Sequence, residues 1–200
     1  MIRNIIFDFG GVLIKWNPRF LYRDYFNDDG KMEYFLSNIC TNEWNGETDR
    51  GRPFAESIRM LQEQYPEYHD DIQLYMDGWT KMIGGPVPGT ADILLQLKEK
   101  GYHTFGLTNW SIETFPYAQE HFPILNELEG IVVSGKEKMI KPEPGLYNVL
   151  LNRYGLIPQE SIFIDDNQVN IDGAVRLGIN GLLFTTAQEL REALTSMHLL

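Results

Sequence analysis

The sequence predicts an α/β fold: a parallel sheet flanked by helices, with a small helical unit inserted after the first strand. Three observations lead there. Short, nearly continuous apolar runs recur along the chain and read as strands buried on both faces. After Pro88 these runs alternate with helix-length stretches, the rhythm of βαβ units and a parallel sheet. Between Trp16 and Gly85 that rhythm gives way to helical patterning alone, rich in aromatic residues.

Each element follows in order. Ile2 to Phe7 is β-branched, aromatic and almost wholly apolar, and it stops at Asp8-Phe9-Gly10-Gly11, where paired glycines permit a sharp turn. In the inserted unit, helices are expected over Phe20 to Phe26, Lys31 to Ile39, Pro53 to Gln64 and His69 to Lys81. The breaks are Asn27-Asp28-Asp29-Gly30, Asn45-Gly46, Pro66 and Gly84-Gly85-Pro86, and Thr41 to Gly46 reads as a polar loop containing Trp44. Thr90 is the expected N-cap of a helix over Ala91 to Lys100, with Gly101 as its stop. Strands follow at Tyr102 to Leu107, Gly130 to Val133, Ser161 to Ile164 and Gly181 to Phe184. Helices fall at Pro144 to Tyr154, ended by Gly155, and at Ile171 to Leu177, with Gly178 after it. Ser111 to Leu128 carries no pattern that assigns it. The expected division is a Rossmann-like core of residues 1–15 and 86–200, with residues 16–85 as the inserted helical unit.

Composition narrows the function. The 200 residues, 43% apolar and 22% charged, are enough for one such domain with a modest insertion and describe an ordered globular chain. The formal net charge of -11 repels nucleic acid and anionic membrane, so neither is an expected partner. It also repels anionic substrates at long range, so a phosphate site here must be built locally from a cation, a lysine and backbone N–H groups. The lone Cys40 cannot form an internal disulfide. The opening apolar run meets Asp8 too soon to be a signal peptide or a membrane helix, and the expected location is cytoplasmic.

In open parallel sheets ligands bind beyond the carboxyl ends of the strands. Asp8, Thr108-Asn109, Lys141 and Asp165-Asp166 all fall at such ends or in the loops that follow. Taken singly, Asp8 also reads as a cap, Thr108 and Asn109 as turn residues, and Lys141 as a solvated side chain. Adjacent Asp165 and Asp166 repel unless something positive lies near. Together with Asp8 they form an all-oxygen donor set that selects a hard cation, and beside a phosphate that cation is Mg²⁺.

These residues carry a resemblance. Ile6-Phe7-Asp8-Phe9-Gly10-Gly11-Val12-Leu13, Thr108 closing its strand, Lys141-Pro142, and Ile164-Asp165-Asp166-Asn167 with Asn170 resemble, in order, the four motifs of the haloacid dehalogenase-like hydrolases. The inserted unit is similar to the family's C1 cap. The resemblance implies a Mg²⁺-dependent phosphatase acting on a small phosphate ester, in which Asp8 is the nucleophile and forms an aspartyl-phosphate. It implies Mg²⁺ held by Asp8, the Gly10 carbonyl and Asp166, with Asp165 and Asn170 acting through water or holding the lysine. Thr108, Asn109 and the Gly11 segment would receive the phosphoryl group, and Lys141 would offset its charge.

One position departs from the pattern. Most phosphatases of the family carry a second Asp two residues after the nucleophile to move protons, and here that residue is Gly10. Losing a general acid costs about 10²–10⁴-fold when the leaving group is basic. Two readings stay open: a substrate with a good leaving group, such as a sugar 1-phosphate, or a proton from the inserted unit or a water. A subgroup with Asp-x-Gly at this place, including bacterial glucose-1-phosphate phosphatases, is the nearest resemblance. Trp16 and Trp44 read first as cap core and are also the candidate substrate-facing aromatics, and Arg19, Arg50 and Arg52 read first as surface residues and are also candidate contacts for substrate oxygens. His69, His103, His121 and His198 have no metal spacing. The competing functions are a metal-independent 2-haloacid dehalogenase, which the paired Asp165-Asp166 disfavours, a weakly catalytic phosphate-binding module, and a phosphomutase.

Overall fold

The computed structural model describes residues 1–200. Strand β1, Asn4–Phe7, lies at the centre of a five-stranded parallel sheet. Its neighbours are β4, His103–Thr108, and β6, Ser161–Asp165, with β5, Gly130–Val133, and β7, Asn180–Leu183, outside them in the order β5-β4-β1-β6-β7. The registers Phe7↔Gly106 and Phe7↔Ile164 bring the carboxyl ends of β4 and β6 to either side of Asp8. The sequence crosses from one side of β1 to the other here, the arrangement that opens a crevice at a sheet edge.

Alternation along β1 explains why it reads as continuously apolar. Ile5 and Phe7 face one layer and Ile6 the other, and all three are fully buried. Helix α9, Pro144–Tyr154, and α10, Gln168–Val175, cover the Ile6 face with Leu146, Tyr147, Leu150 and Ala174. Helices α6, Thr90–Glu99, α7, Phe115–His121, and α11, Ala187–Ser196, cover the other. Gly101 and Gly155 take positive φ where α6 and α9 end, as expected of glycine stops.

Two short strands missing from the sequence reading make the neck of the inserted unit. β2, Ile14–Trp16, pairs antiparallel with β3, Ile83–Pro86, through Ile14↔Pro86 and Trp16↔Ile83. The glycines at 84 and 85 read as a break, yet the backbone there is an edge ribbon, where Pro86 needs no ladder donor. Between these strands lie α1, Arg19–Phe26, α2, Asp29–Asn38, α3, Asn42–Asp49, α4, Phe54–Gln64, and α5, His69–Asp77. Their buried Leu21, Tyr22, Phe35, Phe54 and Tyr75 join Val12, Leu13 and Ile14 in one core continuous with the sheet face.

Three expectations are corrected. Thr41 to Gly46 is mostly helix, not loop: Thr41 Oγ1 accepts the Trp44 amide at 3.2 Å and starts α3. The helix was illegible because Asn42 to Asp49 holds one large apolar residue and a glycine. The last inserted helix stops at Asp77, and a 3-10 turn follows from Trp79 to Met82. Thr90 is a buried residue of the first turn, and the residue before it, Gly89, takes the cap position with φ 84°. No helix is long and apolar enough to cross a membrane.

Candidate active site

Asp8 follows β1 directly, and its amide donates to the Ile164 carbonyl of β6 at 2.9 Å. The Phe9 carbonyl then accepts the amides of Leu13 and Ile14 at 2.9 and 2.8 Å, which folds the glycine turn tightly beneath the sheet edge. Gly11 is required twice over: its φ is +78°, and a Cβ there would stand 2.0 Å from Asp166 Oδ2. That closeness shows Asp166 leaning onto the turn after Asp8. Gly10 is different, because a Cβ built on it meets nothing within 4 Å.

Lys141 is the hub. Its Nζ lies 2.8 Å from Asp8 Oδ1 and 2.7 Å from Asp165 Oδ2, and only 2% of the residue is exposed. Its backbone is clamped by one side chain: Asn109 Nδ2 donates to the Lys141 carbonyl at 3.0 Å, and Asn109 Oδ1 accepts the Lys141 amide at 2.8 Å. Asp165 is fully occupied. Besides Lys141 it accepts the Asn167 amide at 2.8 Å and Asn170 Nδ2 at 3.1 and 3.0 Å on its two oxygens. The Asn170 carbonyl in turn accepts the Tyr147 hydroxyl at 2.7 Å. Thr108 is fully buried at the end of β4, and its hydroxyl has no partner within the protein.

The electrostatics of this floor are unbalanced. Asp8, Asp165 and Asp166 offer carboxylate oxygens that all lie within 4.8 Å of one another, against the single ammonium of Lys141. Burial pushes the Asp8 carboxyl up to about 8, and the charges of Asp165 and Asp166 add to this while Lys141 opposes it. Asp166 is raised as well, by burial first and then by Asp165. Burial disfavours the Lys141 ammonium, but Asp8 and Asp165 outweigh it and the net shift is upward. The donor set, all oxygen with no His or Cys, fits a hard divalent cation that would balance this charge.

Above the floor is a cavity lined by Gly10, Trp16 and Asn109 from the core side and by Asn45, Asp49 and Phe54 from the inserted helices, with Trp79 and Trp110 closing its walls. A wider cleft runs from it past Lys141, Asp166 and Asn170. Trp16 lines this cavity. Trp44 does not: its Nε1 donates to the Ser57 carbonyl at 3.2 Å and its ring meets Tyr75 edge-on, so it packs within the helices. Arg19 pairs with Glu33, Arg50 with Glu143, and Arg52 with Glu47, which assigns all three arginines to ion pairs.

Sequence reasoning missed Asn45, Asp49, Phe54, Trp79 and Trp110. Trp110 adjoins the Thr108-Asn109 signal, and that adjacency was the only available hint. Asp49 is half-buried at the end of α3, where its Oδ2 accepts Asn45 Nδ2 at 3.0 Å. Loss of water around its carboxyl pushes it up to about 7, with the Ser111 amide and the Lys141 charge pulling the other way.

Comparison with known proteins agrees with this architecture. A sesquiterpene phosphatase of Aspergillus oryzae is 28% identical over 94% of both chains. D-ribitol-5-phosphate phosphatase of Bacteroides thetaiotaomicron is 23% identical over 98% of both. The fold matches a mutant enzyme of the same organism solved with magnesium and inorganic phosphate, at a TM-score of 0.68 and 22% identity, covering 93% of this chain and 95% of that one. A dehalogenase structure matches equally in fold, at a TM-score of 0.68 and 20% identity over 91% and 84%. The family model for haloacid dehalogenase-like hydrolases matches residues 5–184, and the chain belongs to that family.

Proposed function

We propose that the protein is a Mg²⁺-dependent phosphatase that hydrolyses a small phosphorylated metabolite through an aspartyl-phosphate on Asp8. The observation that carries this reading is the floor of the site: a nucleophile-ready carboxylate at a strand end, touching a buried lysine, beside a carboxylate cluster that lacks one compensating charge. Metal-free dehalogenation has no use for such a cluster. The full-length phosphatase relatives point the same way.

Asp8, Asp166 and the Gly10 carbonyl would hold the ion. When bound, Mg²⁺ neutralises the carboxylates and the phosphoryl oxygens, so that an anionic ester can enter an acidic protein. The protein's own groups do the rest. Asp8 attacks phosphorus with one carboxylate oxygen. Lys141 Nζ, held by Asp165, opposes the upward push of burial on the Asp8 carboxyl and stabilises charge on the phosphoryl group. Asp165, with its acceptors occupied, positions the lysine instead of binding the ion directly. The unpartnered Thr108 hydroxyl supplies a hydrogen bond to a phosphoryl oxygen at no cost in broken contacts. Asn109 acts by clamping the Lys141 backbone.

Residues 16–85 act as the cap. Three contacts hold its α3–α4 segment on the core: Arg50 with Glu143, the Phe54 amide on Glu113, and Ser134 Oγ on the Asp49 carbonyl. Its aromatic walls suit the face of a sugar or sugar alcohol, and Asn45 and Asn109 provide amide groups at the same cavity. The test is phosphate release from a panel of sugar and polyol phosphates. Activity is expected with Mg²⁺, lost in EDTA and restored by Mg²⁺. Turnover of 2-haloacids unaffected by EDTA would contradict the proposal.

A further inference from the structure

We propose that Asp49 is the general acid–base of the reaction, giving its carboxyl proton to the leaving oxygen and later taking one from the attacking water. This inference rests on the phosphatase reading above. Gly10 leaves the place two residues past the nucleophile without a proton donor, and the space beside it is open. Asp49 lines the cavity that Gly10 and Asn109 border, and the same cleft continues to Lys141 and Asp166. Asp49 thus lines this cavity from the inserted helices, opposite the turn that begins at Asp8.

The side chain is held for that task. Asn45 Nδ2 donates to Asp49 Oδ2 at 3.0 Å. The Asn45 amide is oriented by Tyr75, whose buried hydroxyl donates to Asn45 Oδ1 at 3.1 Å. The Asp49 backbone is fixed to the core by Ser134 Oγ, which donates to its carbonyl at 2.5 Å. The neighbouring charges on α3 and just after it are taken up elsewhere: Arg50 by Glu143, and Glu47 by Arg52. Across the cavity, Glu113 accepts the Phe54 amide. The carboxyl stays protonated well above the ordinary aspartate range, because the cavity wall removes its water. A donor poised near neutrality suits both halves of such a reaction.

The steps balance. Asp8 Oδ forms a bond to phosphorus as the phosphorus–oxygen bond to the substrate breaks, and the Asp49 proton goes to that oxygen, releasing an alcohol. The Asp49 carboxylate then removes a proton from water as its oxygen attacks phosphorus. The Asp8–phosphorus bond breaks, phosphate leaves, and both aspartates return to their starting states.

The experiment compares wild type and Asp49→Asn on two probes with Mg²⁺: p-nitrophenyl phosphate, whose leaving group departs unaided, and a polyol phosphate, whose alkoxide needs a proton. Asp49→Asn is expected to lose about 10²–10⁴-fold in kcat/KM on the polyol phosphate and less than about tenfold on p-nitrophenyl phosphate. Equal losses on both probes, or no loss on either, would overturn the assignment. Binding of beryllium fluoride with Mg²⁺ at Asp8 is expected to survive in Asp49→Asn, and its loss would make Asp49 structural. The wild type gives a reading that needs no variant. Its log kcat/KM should depend weakly on leaving-group pKa across substituted phenyl and alkyl phosphates, and a steep dependence would overturn the proposal. Failure of the wild type to release phosphate from either probe would instead overturn the phosphatase reading.

Discussion

The floor and the roof of the cavity are built by opposite strategies. The floor takes single residues from the ends of β1, β4 and β6 and from the loop before α9, and locks them with short bonds between buried charges. The roof takes Asn45 and Asp49 from one short helix and holds them through neutral hydrogen bonds to Tyr75 and Ser134. The floor is rigid because the sheet register sets its spacing. On the proposed reading, attack on phosphorus belongs to the sheet, while substrate choice and the leaving group belong to the inserted helices.

The sharpest way to break the division is Asp8→Asn, which removes the nucleophile and one negative charge without changing shape. Turnover should fall on the order of 10⁴-fold or more on every ester, with the melting temperature unchanged or raised. Steady-state phosphate release and thermal unfolding check the two halves. Next comes Gly10→Asp in an Asp49→Asn background. The open space at residue 10 should admit the carboxylate and return on the order of tenfold or more of the lost alkyl phosphate turnover. The double variant measured against Asp49→Asn decides it.

Removing the floor's one cation should cost stability where a roof lesion does not. Lys141→Met leaves Asp8 and Asp165 facing each other without their shared cation, and breaking a buried pair in this way costs about 3–5 kcal/mol. Urea unfolding without metal reads that loss, and Mg²⁺ should return part of it.

The pH dependence of stability separates the metal-free from the metal-bound floor. Asp8 and Asp49 have folded values of about 8 and about 7, above the ordinary 3.8, so between these limits the folded protein holds protons that the unfolded chain has released. Their contribution to metal-free stability is therefore full below about 4 and is lost as pH rises from there through 7 to 8. Mg²⁺ favours ionised Asp8 and should flatten or reverse that slope, which denaturant titrations at several pH values will show. The smallest effect belongs to Arg50→Ala. Its pair with Glu143 is partly exposed and contributes about 0–1 kcal/mol, so thermal unfolding should barely move.

The same division explains what the sequence disclosed. Strand-end residues are legible because β-branched runs such as Ile5-Ile6-Phe7 and Ile162-Phe163-Ile164 announce buried strands, and polar residues at their ends stand out. Asp8, Thr108 and Asp165 stand out that way, and Lys141 through the resemblance of Lys141-Pro142 to the family's third motif. The roof residues were not found, because Asn42 to Asp49 has no apolar stripe and its fold depends on the Thr41 cap and on contacts with distant Tyr75 and Ser134. Trp44 was placed in a loop for the related reason that the Asn45-Gly46 pair after it reads as a break until the helix is known. The β2–β3 ribbon stayed hidden because its strands pair across the whole inserted unit.

The most direct test is an acid-quenched single turnover followed by peptide mapping of the protein. The account predicts a phosphoryl group carried by Asp8, formed and lost at rates that match phosphate release with Mg²⁺ present. Full phosphate release with Asp8 never phosphorylated, or with the phosphoryl group found on another residue, would contradict it.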